Sequence, residues 1–564
     1  MKLKFIFLIL FFIIGNSIGI KISKEINKIK LNDISIDGEI LLNKSSDSSS
    51  SQSSKIINIW PMPKKVLNGD ITVYISPHFQ FTTNLTKSTT LKKAMDRYYK
   101  LIFTEDSKSH SGISILNEIK ILVKSEDETL QIGFDESYEI YIDDSGDDGG
   151  KIIAETVYGA IRGLETLYQM IGFDYQREYY QIKHCPWIIQ DSPRYPHRGV
   201  MLDTSRHFYS VDVLKEFIEA LAYNKFNVFH WHAVDSQSFP LTSTTFPKIT
   251  KGSWSSQEIY STRDIKEIIQ HAKEYGIRVE LEIDMPGHAY SWGIGYPSVL
   301  PANFSHSIQC QQPCPTECNI PLDVSSKESY VIAMGLLEEF NGASMFNESF
   351  FHIGGDEVAY SCWNNSLRIV DWMKRENISS FQDAAIFFEI KAIEQLIQLG
   401  KTPVMWEDAY LLFGSSGITE KLPEEVVVQI YHDPLLALNT TRDGYKTLQS
   451  PYWPYYLDNP SVDWEKVYEF EPSNGIHEKR LRLLLGGETC MWSELVDASN
   501  LFAKVFPRAF ATAERLWFSI ENSNSTTFAK PRLERFRCFL LERGIGAAPL
   551  NSTSPDDPNS CYSS

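Results

Sequence analysis

A chain of 564 residues is longer than one hydrophobic core supports, so a large domain with a smaller companion is expected. A hydrophobic share of 43% beside 22% charged residues is that of a folded globular protein, and 13% aromatic residues leave rings to stack on a ring-shaped ligand. The formal net charge of −18 argues against nucleic acid and anionic membrane surfaces as partners.

Lys2 and Lys4 precede an apolar run from Phe5 to Ile14, followed by Gly15, Ser17 and Gly19, which predicts a signal peptide over residues 1–19. The run is shorter than the ~20 residues a bilayer requires and no other stretch qualifies, so no membrane span is predicted. Residues 20–55, ending in the serine tract Ser45 to Ser54, read as a polar linker or propeptide. Over 56–190 the pattern is mixed. Tyr138 to Ile142 alternates like a strand, Lys151 to Ala154 suggests another, and Thr156 to Leu167 has helical spacing, which together predict a small α+β domain.

A secretory route fits the nine Asn-x-Ser/Thr sequons: Asn43 in the polar linker, and Asn84, Asn303, Asn347, Asn364, Asn377, Asn439, Asn524 and Asn551, the last eight being candidate glycosylation sites. In that compartment eight cysteines read as disulfides rather than metal ligands. Cys310, Cys314 and Cys318 crowd a Gln/Pro-rich stretch with Cys362 downstream, Cys538 and Cys561 can tie down the C-terminus, and Cys185 and Cys490 are left free. The destination is the lysosome or the cell exterior, and a homodimer is compatible with the sequence.

Across 191–564, short apolar runs alternate with helical patterns: Gly199–Leu202, Phe226–Trp231, Arg278–Ile283, Phe350–Ile353, Thr402–Trp406, Val426–Tyr431, Lys446–Gln449 and Leu483–Leu485. Eight such strands predict an α/β fold, a (β/α)8 TIM barrel, whose active face lies at the strand C-termini. Those ends carry Asp203 to His207, His232 to Asp235, Asp284 to His288, Gly354 to Glu357, Trp406 to Asp408, Tyr431 to Asp433, Tyr455 to Asp458 and Trp492 to Glu494. Any one of these has a structural explanation. Together, acids, one Arg, His and several rings at one mouth suit a sugar site: rings to stack on, acids to bond hydroxyls, one acid to protonate a leaving oxygen. Gly354-Gly355 lets the backbone bend, so that Asp356 and Glu357 can both turn inward; two acids so close raise one pKa, as a general acid requires.

Six blocks resemble the signatures of β-N-acetylhexosaminidases of glycoside hydrolase family 20: Pro193-Arg194-Tyr195-Pro196-His197-Arg198-Gly199, Asp203-Thr204-Ser205-Arg206-His207, Asn227 to His232, Met285-Pro286-Gly287-His288, His352-Ile353-Gly354-Gly355-Asp356-Glu357 and Gly486 to Trp492. They recur in family order from about residue 56 onward. The resemblance implies a retaining, substrate-assisted reaction on terminal β-linked GlcNAc or GalNAc of oligosaccharides, glycoproteins or glycolipids, without cofactor or metal. It makes Glu357 the acid and then the base, and Asp356 the group that orients the substrate's acetamide. It further implies that Arg206 and Glu494 bind ring hydroxyls, that Asp235 and His288 support the two acids, and that Trp406, Trp492 and Tyr456 wall the acetamide pocket. Tyr456 would also bond the acetamide oxygen, Asp458 a hydroxyl, and Glu407 would face the next sugar from the rim.

Two departures stand out. Tyr431 replaces the usual Trp after strand six, and the block Pro451-Tyr452-Trp453-Pro454-Tyr455-Tyr456-Leu457-Asp458 is longer than usual, leaving Tyr455 and Tyr452 as alternatives to Tyr456. Asn459, uncharged, implies a preference for neutral over sulfated sugars. Two rival readings are a metal-dependent hydrolase using His230, His232, His288 and Asp356, and a barrel that binds glycans without turnover.

Overall fold

The computed structural model describes residues 57–108, 115–146, 149–301, 319–342, 345–415, 422–519, 526–550 and 561. The signal peptide, the polar linker, Cys310, Cys314, Cys318 and the sequons at Asn43, Asn303, Asn524 and Asn551 lie outside them.

Six strands form the N-terminal sheet: β1 (Lys65–Thr83), β2 (Ile115–Val123), β3 (Tyr138–Ile142), β4 (Gly150–Ala154), β5 (Ile171–Asp174) and β6 (Tyr179–Asp191). Their order is β1-β2-β4-β3-β6-β5, with β1 also pairing β6. The alternation read in Tyr138 to Ile142 is realised: Tyr138, Ile140 and Ile142 are buried and the residues between them half-buried. Helices α1 (Thr89–Ile102) and α2 (Val157–Met170) begin at Ser88 and Thr156, whose hydroxyls accept from Leu91 N and Gly159 N and satisfy donors the first turn leaves open. Helix α2 is buried almost all round because the sheet covers one side and the barrel the other. Gly159 permits this approach, since a Cβ there would lie 2.4 Å from Ser137 O.

Eight parallel strands close the barrel: β7 (His197–Asp203), β8 (Val228–Val234), β9 (Arg278–Ile283), β10 (Phe350–His352), β11 (Thr402–Trp406), β12 (Val427–Ile430), β13 (Lys446–Gln449) and β14 (Leu484–Met491). Each predicted run becomes a strand. The largest shift is at β14, expected to stop at Leu485; its Gly486-Gly487-Glu488 stretch lacks an apolar signature, yet it pairs with β7 from Gly486–His197 to Met491–Leu202. The glycines allow that register, because a Cβ on Gly487 would stand 2.1 Å from Gln449 O.

The barrel interior is layered. Phe350, Val404, Val427, Leu448 and Leu485 make an apolar floor. Above it His197, His230, Glu282, His352 and Glu488, all fully buried, form a layer of ionisable side chains. At the top Met201, Trp406, Tyr431, Tyr456 and Cys490, with Trp492 against them, form an aromatic cluster beneath the mouth.

The C-terminal helices α3 (Arg508–Trp517) and α4 (Thr526–Glu542) clasp the start of the described chain. Trp60 Nε1 donates to Phe510 O at 3.2 Å, Met62 N to Glu514 Oε2 at 2.9 Å, and Arg532 binds both Glu514 oxygens at 2.7 Å. Cys538 and Cys561 form a disulfide, Cys362 is disulfide-bonded, and Cys185 and Cys490 are free and buried. Among the described residues no helix is long and apolar enough to cross a membrane. Asn347, Asn364 and Asn377 are exposed and Asn439 half-buried. The Asn84 amide is engaged in both directions with Val123, donating to its carbonyl at 2.8 Å and accepting from its N–H at 2.9 Å.

Candidate active site

Strand β10 ends at His352, after which Gly354 (φ +67°) and Gly355 (φ +92°) turn the backbone through conformations that L side chains rarely adopt. A Cβ on Gly354 would fall 1.7 Å from Asp284 Oδ1, so the site needs glycine there for space as well as for φ. The turn is fixed to its neighbours by Met285 N to Ile353 O at 3.1 Å and Trp406 N to Gly354 O at 3.0 Å. Asp356 and Glu357 therefore reach the same histidine: His288 Nε2 is 3.6 Å from Asp356 Oδ2 and 3.6 Å from Glu357 Oε2.

The two acids are unequal. Asp356 is 7% exposed, whereas the Glu357 side chain is 58% exposed and faces the mouth. Of the pair, Asp356 carries a pKa raised well above the usual carboxylate range. Burial is the first cause and the neighbouring Asp284 charge the second, so the close sequence neighbour is not what raises it. Asn319 holds the Glu357 end, donating to Glu357 O at 2.7 Å and Oε2 at 3.3 Å while its own oxygen accepts from His288 N at 3.0 Å.

Beneath them Asp235 is the hub. Its carboxylate meets His288 Nδ1 at 3.1 Å, His232 Nε2 at 3.1 Å and Arg206 Nη2 at 2.8 Å. Burial alone would raise it, but Arg206 and His288 hold it well below the usual carboxylate range. Burial would lower His288, and Asp235 with Asp356 overrides this to about 9, so an imidazolium stands between the two acids. Arg206 also contacts Asp203 at 3.2 Å and Glu494 at 3.8 Å, with its guanidinium 4.9 Å from the Trp492 ring centre.

The aromatic cluster packs ring against ring at the strand ends. Trp406 packs near-perpendicular to Tyr431 at 5.6 Å, Tyr431 parallel to Tyr456 at 6.4 Å, and Tyr456 lies 6.1 Å from Trp492. Of the three strand-seven tyrosines, Tyr456 enters this cluster. Tyr455 is fully buried against Phe470 and Tyr452 is 51% exposed. Burial pushes Asp458 up to about 6, beside the charges of Glu494 and Asp203.

Glu407 does not take the expected rim position. Its side chain is 2% exposed and turns back under the strand end, accepting from Tyr431 N at 2.9 Å and His432 N at 3.3 Å. Backbone donors at the end of β12 claimed this carboxylate.

The histidines of the metal reading are committed to acids. His230 meets Glu488 at 2.8 Å and Glu282 at 3.0 Å, His232 meets Glu282 at 2.5 Å, and Trp406 Nε1 donates to the other Glu282 oxygen at 2.8 Å. Ligand-type atoms of His288, Asp356 and Glu357 do lie within 4.8 Å of one another. That spacing equally suits a protonated imidazole shared by two carboxylates.

The description "Glycosyl hydrolase family 20, catalytic domain" matches residues 195–519, and "beta-acetyl hexosaminidase like" matches 59–170. The chain belongs to glycosyl hydrolase family 20. A curated relative, Beta-hexosaminidase subunit B1 of Dictyostelium discoideum, is 48% identical over 525 residues, 90% of this chain and 92% of the relative. Beta-hexosaminidase 1 of Arabidopsis thaliana is 37% identical, covering 89% of this chain and 94% of the relative. Among solved structures, the Flavobacterium johnsoniae chitobiase FjGH20 superposes with a TM-score of 0.73 at 28% identity, over 86% of this chain and 73% of the other.

Within this family 20 barrel the sequence reading assigned no role to Asn319, Asp284 or Glu389. Asp284 Oδ1 accepts from Gly355 N at 3.3 Å. Glu389 is 1% exposed, its carboxyl is raised well above normal by burial and then by Asp408 and Asp356, and a Gly355 Cβ would lie 3.8 Å from its Oε1. Asp284 had a visible signal in its place at a strand end. Glu389 sits mid-helix and had none.

Proposed function

We infer that this chain is a retaining β-N-acetylhexosaminidase that removes terminal β-linked GlcNAc and GalNAc from glycans, with the substrate's acetamide as nucleophile. The supporting observation is the unequal acid pair at the strand ends that carry the aromatic cluster: a buried Asp356 and an exposed Glu357, bridged by His288. Glu357 gives its proton to the glycosidic oxygen as the acetamide oxygen attacks the anomeric carbon and the aglycone leaves. Asp356 accepts the acetamide N–H, aims its oxygen and balances the charge of the oxazolinium-like intermediate. Water deprotonated by Glu357 then opens that intermediate, and two inversions give retention. Because the nucleophile is tethered to the substrate, orientation is the main task left to the protein.

The Asp235–His288 pair holds both acids in register. Trp406, Tyr431 and Trp492 wall the acetamide methyl, and the Tyr456 hydroxyl donates to the acetamide oxygen. Arg206, Asp458 and Glu494 bind the ring hydroxyls, and the uncharged Asn459 favours neutral sugars. The N-terminal 19 residues act as a signal peptide, and residues 56–190 and 191–564 are the two domains of the mature enzyme. It then works in lysosomes or outside the cell, alone or as a homodimer. Glycans occupy exposed sequons such as Asn347, Asn364 and Asn377.

Hydrolysis of aryl-GlcNAc, aryl-GalNAc and aryl-glucose tests this function. Turnover of both acetamido sugars without the glucoside is expected, and comparable turnover of the glucoside would overturn substrate assistance.

A further inference from the structure

The lengthened block before Asp458 leaves two aromatic side chains outside the acetamide pocket. Tyr452 is 51% and Trp453 46% exposed, whereas Tyr455 and Tyr456 of the same segment are buried. A single exposed ring is ordinary, but two adjacent ones in the segment that follows a barrel strand's C-terminal end form an unspent binding surface.

The segment is fixed at several points. Tyr452 N donates to Tyr431 O, Tyr455 N to Pro451 O at 2.9 Å and Leu457 N to Cys490 O at 2.8 Å. The Tyr452 ring stands at 64° to the Tyr456 ring with centroids 5.5 Å apart, which braces it against the pocket wall. Its position follows from Tyr431 and Tyr456, whose rings lie parallel 6.4 Å apart in the aromatic cluster at the C-terminal ends of the barrel strands, with Trp492 6.1 Å from Tyr456. Tyr452 is thus tied to the aromatic wall at the strand ends that also carry the two acids, and the aglycone departs past Glu357. Glu407, expected to meet that sugar, is turned inward.

We propose that Tyr452, with Trp453 beside it, is the stacking platform for the sugar ring that leaves, so that the chain prefers a glycan aglycone to a ringless one. The proposal rests on the hexosaminidase reading above. A pyranose presents an apolar C–H face, and an exposed ring with a fixed tilt meets that face at little entropic cost.

The test compares a β-1,4-linked GlcNAc disaccharide with methyl β-N-acetylglucosaminide, which has the same terminal sugar and no aglycone ring. Tyr452→Ala is expected to lower kcat/KM on the disaccharide about tenfold, mostly through KM, and to leave the methyl glycoside unchanged. Tyr452→Phe should retain wild-type values on both, and Trp453→Ala should show a smaller loss confined to the disaccharide. Parallel losses on both substrates, or no loss on the disaccharide, would overturn the platform. A wild-type enzyme that cleaved neither would overturn the hexosaminidase reading instead.

Discussion

Two of the regions that bury charge treat it differently. Where the N-terminal domain meets the barrel, the acids are matched: Glu136 binds Arg162 at 3.0 Å, Arg198 at 2.7 Å and Asn227 at 3.0 Å, and Asp191 binds Lys225 at 3.1 Å. Burial would raise Glu136, but Arg198 and Arg162 outweigh it and its pKa is lowered. In the barrel domain several acids have no arginine or lysine paired with them among the described residues. Glu280, Asp284, Asp356 and Glu389 are all raised, burial first in each case, and both oxygens of Glu280 and of Glu389 lack a hydrogen-bond partner among the described residues. The acids at the domain junction are neutralised on the spot, whereas Asp356 at the site is left incompletely matched, with Oδ1 unbonded among the described residues, so that substrate can complete it.

Four substitutions can break or sharpen that contrast. Asp356→Asn should lower kcat on aryl-GlcNAc by about 10²–10³-fold and leave the unfolding temperature equal or higher, since it removes an unmatched acid. A drop in stability that accounted for the lost rate would merge the two classes. Glu136→Gln, on the matched side, should do the reverse: about 3–5 kcal/mol of stability lost by denaturant titration, with kcat of the folded fraction unchanged.

Asp284→Asn removes the charge that ranks after burial in raising Asp356. If Asp356 must be ionised to accept the acetamide N–H, activity is lost as pH falls through its pKa, and the variant should move the acid limb of the kcat/KM profile to lower pH. An unmoved limb would place that limb on another group. The smallest effect concerns Glu280, whose folded pKa is raised by burial and then by Glu488 to about 8. An acid raised on folding contributes stability that is full below its unfolded pKa, near 4.5, and is lost as pH rises toward 8. Glu280→Leu should therefore raise the unfolding temperature at pH 7.5 by about 2 °C and have little effect near pH 4, readable by calorimetry.

The barrel was legible because each strand is a short apolar run, and its mouth because polar and aromatic residues follow at the strand ends. β14 was cut short because Gly486 and Gly487 carry no hydrophobic signal while making its close register possible. Glu407 shows a second gap: being at a strand end fixes where a side chain starts, not whether the backbone beside it claims the carboxylate. Tyr456 was selected over Tyr455 by resemblance, and a difference of one residue decides which ring faces the pocket and which faces Phe470. Asn319 and Glu389 were silent because their neighbours, Glu357 and Asp408, belong to other segments and only the closed barrel brings them together.

The clasp between the two ends of the chain bears on how the molecule is made. Trp60 and its acceptor Phe510 are 450 residues apart. At about 5–20 residues per second a ribosome delivers the second roughly 20–90 s after the first, so Trp60 waits through the synthesis of the whole barrel. The fold closes only when the last helices emerge, and a chain truncated before Phe510 would carry an uncovered tryptophan, the kind of surface that chaperones retain.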